Sequence, residues 1–279
     1  MRLSVLTDNS SLTDRYYLAE PGFSVLVEEG ARKVLFDLGY SDVFLRNAMK
    51  MGQSLLDLEY VVLSHGHLDH TWGLVHLVMA LTEAEIEKRD FRRPELVAHP
   101  DVFLTKQSGK VPESGALLSE EKCAEHFGLH LSCEPFWLLD DLVFLGEIPR
   151  RFEFEPPEPG RKRRRNGDIE PDLMPDDSAL AWKGEEGLVV ITGCSHAGIC
   201  NIVAYAREVC NEERVQDIVG GFHMMKAPEN RLDATAATLK SMGITRMHPC
   251  HCTGFRAVHR FAREFMVEET GSGQVCEYS

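Results

Sequence analysis

The feature that most constrains this chain is the hexapeptide His65-Gly66-His67-Leu68-Asp69-His70. It follows residues 58–64 (LEYVVLS), a continuous apolar run of the kind that forms a strand buried on both faces. Residues 72–88 behind it read as a helix ending in charge. On an extended segment leaving a strand, His65 and His67 are two apart and point the same way. Asp69 and His70 stand where the chain must bend into the helix, and such a bend can bring a second pair of ligands close to the first. Imidazoles with a carboxylate suit zinc, iron or manganese, and the mixture alone does not choose among them. With 12 histidines in 279 residues, a chance match to this pattern should occur about once in a thousand such chains. The competing reading, a hydrogen-bonded histidine cluster in a surface loop, is the weaker one given the strand ahead and the helix behind.

Charge narrows the partners. There are 30 Lys and Arg against 44 Asp and Glu, a net charge of −14. That balance argues against a nucleic-acid partner, because phosphate-backbone binding needs a basic footprint. A small anionic substrate remains compatible, since a bound metal is itself a local positive centre. The opening MRLSVLTDNSS turns polar too soon for a signal peptide, and no apolar stretch is long enough to span a bilayer. The expectation is a soluble, cytoplasmic protein that acts on a small molecule and has no membrane partner; nothing in the chain speaks to its oligomeric state. The eight cysteines read as thiols rather than disulfides in a long, core-rich chain. Cys250-His251-Cys252 and Cys194-Ser195-His196 stand apart, each placing a thiol beside a histidine.

Strands are expected at residues 2–7, 22–28, 32–37, 58–64, 95–99, 136–141, 143–145, 151–155, 179–183, 188–192, 218–222 and 246–249. Helices are expected at 43–51, 72–88, 199–209, 231–242 and 254–265. There is no fixed-period repeat and no clear boundary, so residues 1–279 read as a single domain. Residues 156–175 differ, being rich in Pro, Gly and charge and containing Arg161-Lys162-Arg163-Arg164-Arg165. A solvated, mobile loop is the favoured reading of that run. A nucleic-acid or nuclear address and a basic lid near the site are the alternatives.

Strand, then His-x-His-x-Asp-His, then helix resembles the signature of the metallo-β-lactamase superfamily. The resemblance implies an α/β (α+β) fold, the αββα four-layer sandwich, with metals at one edge. Further motifs are similar to one subgroup. These are Thr192-Gly193-Cys194-Ser195-His196, Gly220-Gly221-Phe222-His223, Pro249-Cys250-His251-Cys252-Thr253-Gly254, Gly146-Glu147-Ile148-Pro149-Arg150 and Asp176-Asp177. The subgroup is named for 7,8-dihydropterin-6-methyl-4-(β-D-ribofuranosyl)aminobenzene-5′-phosphate synthase, an activity of methanopterin biosynthesis. The resemblance implies His65, His67, Asp69, His70, His196 and His251 as ligands of one or two divalent metals, zinc first, with manganese or iron as alternatives. Asp69 would also hold or deprotonate a water. His223 would act as a catalytic or substrate-binding group, and Glu147 and Arg150 would line the substrate site. The chain departs from the family where Thr-Gly-Asp is usual: Cys194 replaces a bridging Asp. It is either a bridging thiolate or a plain buried thiol, with His196 taking the ligand role. His76, His99, His126, His130, His248 and His259 read as structural.

The implied reaction is metal-dependent hydrolysis, or a related transfer in which pyrophosphate leaves a pterin-like or otherwise phosphorylated substrate. The rival reading of another class is a non-haem iron protein that reduces or senses oxygen or nitric oxide.

Overall fold

The structure is a computed structural model and describes residues 1–158 and 160–279. The chain divides into two compact units. One comprises Met1–Ser132, Gly160–Asp172 and Gly271–Tyr278; the other comprises Cys133–Pro159, Leu173–Thr270 and Ser279.

The first unit holds strands β1 (Arg2–Thr7), β2 (Ser24–Glu29), β3 (Arg32–Phe36), β4 (Tyr60–Val62), β5 (Glu95–Ala98), β6 (Thr105–Ser108) and β7 (Gly128–Leu131). The second holds β8 (Phe136–Trp137) and β9 (Leu142–Phe144). The first then supplies β10 (Arg161–Arg165) and β11 (Asp168–Pro171). The second adds β12 (Ala179–Gly184), β13 (Gly187–Thr192), β14 (Val215–Gly221), β15 (Arg246–Cys250) and β16 (Met266–Val267), and β17 (Val275–Glu277) returns to the first. The first unit carries helices α1 (Val43–Lys50), α2 (Leu68–Thr71), α3 (Leu74–Ile86) and α4 (Glu120–His126). The second carries α5 (Ile199–Cys210), α6 (Glu229–Ser241) and α7 (Phe255–Phe261).

Among the described residues, the main sheet of the first unit has seven strands in the order β17-β1-β2-β3-β4-β5-β7. β1, β2 and β3 are antiparallel neighbours, while β3, β4, β5 and β7 run parallel. Parallel strands are covered on both faces and therefore read as apolar runs, which explains LEYVVLS. Leu74, Leu77, Leu81 and Ala84 recur at helical spacing on α3 and are buried; the three leucines join Val61, Leu63 and Leu96 in one core. Each such leucine contributes about 1.5–3 kcal/mol by burial.

The sheet of the second unit also has seven strands among the described residues, in the order β16-β15-β14-β13-β12-β9-β8. Its β13, β14, β15 and β16 are parallel, so their carboxyl ends share one edge. α5, α6 and α7 pack their apolar faces on this sheet through Ile199, Ile202, Val203, Ala236, Leu239 and Phe261. In open α/β sheets ligand-binding groups gather outside carboxyl strand ends. The site residues of each unit sit at such ends.

Two expectations are corrected. Residues 151–155 form no strand: Glu155 closes a turn onto Phe152, and its carboxylate caps α5 by accepting from the Cys200 and Asn201 amides at 3.0 and 3.1 Å. The helix expected over 72–88 is α3 (Leu74–Ile86), and a separate short helix, α2 (Leu68–Thr71), precedes it within the histidine motif. The loop expected over 156–175 contains β10 and β11, which form a three-stranded antiparallel sheet with β6; Pro159 of that stretch lies outside the described residues. Strand alternation explains this last miss. It turns Arg161, Arg163 and Arg165 to one half-buried face and Lys162 and Arg164 to solvent, a pattern a run of like charges conceals.

Candidate metal centre

In the first unit the motif leaves the carboxyl end of β4 beside the end of β3, where Asp37 sits fully buried at φ +55°. Asp37 is the hub of the local network. Its Oδ1 accepts the Ser64 amide at 2.7 Å, and its Oδ2 accepts both the Ser64 hydroxyl at 2.6 Å and His70 Nδ1–H at 2.7 Å. Ser64 Oγ in turn lies 2.8 Å from His65 Nδ1, and His65 Nε2 lies 2.9 Å from His67 Nδ1. Arg161 NH1, from β10, stands 3.0 Å from His67 Nε2.

One proton assignment satisfies this whole chain. A guanidinium only donates, so His67 Nε2 accepts and its Nδ1–H donates to His65 Nε2. His65 Nδ1–H then donates to Ser64, whose hydroxyl donates to Asp37. Asp37 therefore fixes the proton of His70 directly, and that of His65 through Ser64, on Nδ1. The Nε2 atoms of both rings keep their lone pairs. This is the arrangement by which a carboxylate orients metal-binding imidazoles.

The donor chemistry fits a divalent metal. Two imidazole nitrogens on one tetrahedral zinc stand about 3.3 Å apart, close to the 2.9 Å between His65 Nε2 and His67 Nδ1. The rings of His65 and His70 lie 4.2 Å apart, and Asp69 Oδ2 is 3.9 Å from His70 Nε2. Gly66 is required between the histidines, because a Cβ there would meet the Val102 carbonyl oxygen at 2.3 Å.

In the second unit three loops leave the carboxyl ends of β13, β14 and β15. Each bends through a left-handed non-glycine residue: Ser195 at φ +60°, His223 at +50° and His251 at +50°. Such conformations persist where the surroundings over-determine them, and they cluster at functional sites. The bends converge several donors. Cys194, His223 and Cys252 offer ligand atoms all within 4.8 Å of one another, as do Glu158, His196 and His223. His251 Nε2 lies 3.2 Å from Cys194 Sγ, and the His223 amide donates to Cys252 Sγ at 3.2 Å. A Cβ on Gly221 would meet Cys252 Sγ at 2.7 Å, so only glycine lets the sulfur approach.

Electrostatics set these groups apart. Burial opposes a charge on His223, but Cys252 and the hydrogen-bonded Glu158 carboxylate outweigh it and raise the imidazole to about 9. Burial likewise opposes ionising Cys252, yet its bond with Cys194 and the fields of His251 and His223 draw the thiol well below its ordinary range. Asp177 is fully buried and pushed up to about 7 by desolvation, against the pull of the Ala197 and His196 amides. Its Oδ2 accepts Ala197 N–H at 2.8 Å, which pins the loop carrying His196.

The residues singled out in the sequence thus fall into two groups. His65, His67, Asp69 and His70 come together in the first unit. Cys194, His196, His223 and His251 come together in the second. Arg150 spends its fork on backbone, donating to the His196 carbonyl at 2.9 Å and the Leu173 carbonyl at 2.8 Å. Glu147 is exposed. His248 faces Asp217 at 3.0 Å, a structural pairing shared with Arg246. Asp37, Ser64, Glu158, Arg161 and Cys252 were not singled out as site residues. Asp37 carried a signal, an acid closing the apolar strand RKVLFD, and Cys252 adjoins a flagged histidine. Glu158 and Arg161 lie in the segment read as a loop.

Comparison with known proteins agrees with this architecture. A family model for the metallo-beta-lactamase superfamily matches residues 18–156. Over 261 residues the chain is 30% identical to an uncharacterized protein of Methanocaldococcus jannaschii, covering 94% of each chain. It is also 30% identical to the 7,8-dihydropterin-6-methyl-4-(beta-D-ribofuranosyl)-aminobenzene-5'-phosphate synthase of the same organism, covering 94% of this chain and 91% of that one. Among solved structures, Tm1679, a metal-dependent hydrolase of the beta-lactamase superfamily, superposes with a TM-score of 0.85 at 34% identity, covering 100% of this chain and 99% of that one. The chain belongs to the metallo-β-lactamase superfamily and has its mixed α/β fold. Among the described residues, no helix is long and apolar enough to cross a membrane.

Proposed function

We propose that this protein is a metal-dependent hydrolase, or a closely related transferase, acting on a small phosphorylated or pterin-like substrate. The observation that carries the reading is the Asp37 network, which holds His65 and His70 with Nδ1 protonated and Nε2 ready to bind a metal. His65, His67, Asp69 and His70 are the proposed ligands in the first unit. The family resemblance assigns the ligand role to His196 and His251 as well. Zinc is the proposed metal.

A divalent ion supplies a Lewis acid for anionic oxygen and a bound water that ionises near neutral pH. The chain's own residues do the rest. Asp37 and Ser64 fix ring orientation, and Asp69, the least buried of the four motif donors, is placed to orient or deprotonate a water. His223, charged at neutral pH through Glu158, is a donor for developing negative charge. The similarity to the pterin synthase supports a transferase with pyrophosphate departure, and the similarity to the metal-dependent hydrolase supports hydrolysis.

Metal analysis of protein purified without added metal tests the reading. Zinc or manganese at one or two equivalents, lost on His67→Ala, is the expected result. A coloured iron site instead favours a redox or gas-sensing protein on the same fold, and metal-free protein that will not load overturns the reading.

A further inference from the structure

Beside the histidine motif the first unit carries an aromatic pair that has no role in the function proposed so far. Tyr40 and Trp72 stack with ring centroids 5.0 Å apart and planes 27° from parallel, the offset arrangement that aromatic pairs prefer. Both lie close to the site along the chain, Tyr40 just after Asp37 and Trp72 just after His70. The backbone stitches the two segments together: Leu38 N–H donates to the His70 carbonyl at 2.9 Å, and Gly73 N–H donates to the Gly39 carbonyl at 3.2 Å. Only glycine allows this approach at 73, because a Cβ there would meet the Leu38 carbonyl oxygen at 2.1 Å.

Both rings are held in place. Trp72 Nε1–H donates to the Gly115 carbonyl at 2.8 Å. The loop carrying Tyr40 is pinned by one carboxylate, Glu20. Its Oε1 accepts the Tyr40 and Ser41 amides at 3.0 and 2.9 Å, and its Oε2 accepts the Ser41 hydroxyl at 2.6 Å. Yet Tyr40 stays 42% exposed. An aromatic side chain that is fixed but open to water has already given up the freedom that binding would cost, and it offers a ligand rigid apolar area. A flat heteroaromatic ring laid on Tyr40 gains both apolar burial and π contact, whereas an aliphatic group gains only the first.

We propose that Tyr40 and Trp72 form a shelf that seats a planar, pterin-like ring of the substrate. Tyr40 makes the contact, and Trp72 and Glu20 are positioning residues that hold it. The proposal rests on the small-molecule reading above and deepens it by assigning the residues that recognise the ring.

The test is binding of pterin to zinc-loaded protein, followed by calorimetry and by quenching of the pterin's own fluorescence. Zinc content and thermal melts are recorded for every variant. Wild type should bind pterin and quench it. Tyr40→Leu, which keeps an apolar side chain but removes the π face, should weaken binding about 5- to 100-fold, the scale of one lost ring stack, and should lose most of the quenching. Tyr40→Phe should stay within about twofold of wild type, because it keeps the ring. Trp72→Leu should weaken binding less than Tyr40→Leu, since Trp72 acts through Tyr40. Cyclohexanecarboxamide, a ring with no π face, should not distinguish wild type from Tyr40→Leu. Wild-type affinity and quenching in Tyr40→Leu overturn the shelf. So do equal losses in Tyr40→Leu and Tyr40→Phe, which would trace the effect to the hydroxyl, and so does zinc-loaded wild type that binds no pterin. Wild type that takes up no zinc fails the metal reading instead, and the same variants then test the shelf on metal-free protein.

Discussion

The two units build their sites from different materials. The first uses one contiguous hexapeptide and a single carboxylate, Asp37, that reaches the ring nitrogens. The second collects one or two residues from each of three strand ends, holds them by left-handed bends, and mixes thiols with imidazoles. Its carboxylates divide the work: the partly exposed Glu158 bonds the His223 ring, while the fully buried Asp177 bonds a backbone amide rather than a ring. A carboxylate that bonds imidazoles governs which nitrogen carries a proton and therefore metal affinity. A carboxylate that bonds amides governs loop position and pays for its burial in protonation.

Removing each carboxylate should expose that contrast. Asp37→Ala strips the Ser64 amide, the Ser64 hydroxyl and His70 of their shared acceptor in a fully buried place. We expect a loss of about 3–5 kcal/mol in unfolding free energy and of about 10- to 100-fold in zinc affinity, measured by chemical denaturation and competitive chelator titration. If zinc affinity is unchanged, Asp37 is merely structural and the two units do not differ as described.

Asp177 should act through pH instead. Its folded value near 7 lies above its ordinary value of 3.8. The folded state therefore keeps a proton that the unfolded chain has already released. Its contribution to stability is complete below about 3.8 and is lost as pH rises to about 7, on the order of 4 kcal/mol in all. Asp177→Asn should flatten that part of the stability–pH curve of the metal-free protein and leave zinc affinity within a few fold. A variant whose curve parallels the wild type between pH 4 and 7 contradicts the assignment.

The smallest effect concerns the bends. His223→Gly and His223→Ala both remove the imidazole and its bond to Glu158, so their difference isolates the backbone. At φ +50° the glycine variant should be the more stable by about 1 kcal/mol. Equal stabilities would mean that the bend relaxes once the ring is gone.

The same contrast explains what could be read from the chain. The first unit's motif was legible because its ligands are adjacent in sequence and follow a strand whose apolar run is unmistakable. His196, His223 and His251 were legible only beside glycines and strand ends, one at a time, and their mutual geometry was not. Asp37 escaped notice because its role depends on β3 lying beside β4, a pairing between residues 27 apart that no local pattern encodes. Arg161 escaped because five like charges look like solvated chain, while the acids that allow three of them to turn inward, Asp101 and Glu170, or the histidine that receives the first, lie elsewhere in the sequence.

The central claim is that His65 and His67 share a metal on the nitrogens that now face each other. Anomalous scattering from crystals of zinc-loaded protein tests it most directly. The account predicts an anomalous peak about 2.0–2.1 Å from both His65 Nε2 and His67 Nδ1. Loaded crystals without a peak there, with the 2.9 Å contact between those two nitrogens intact, would contradict it.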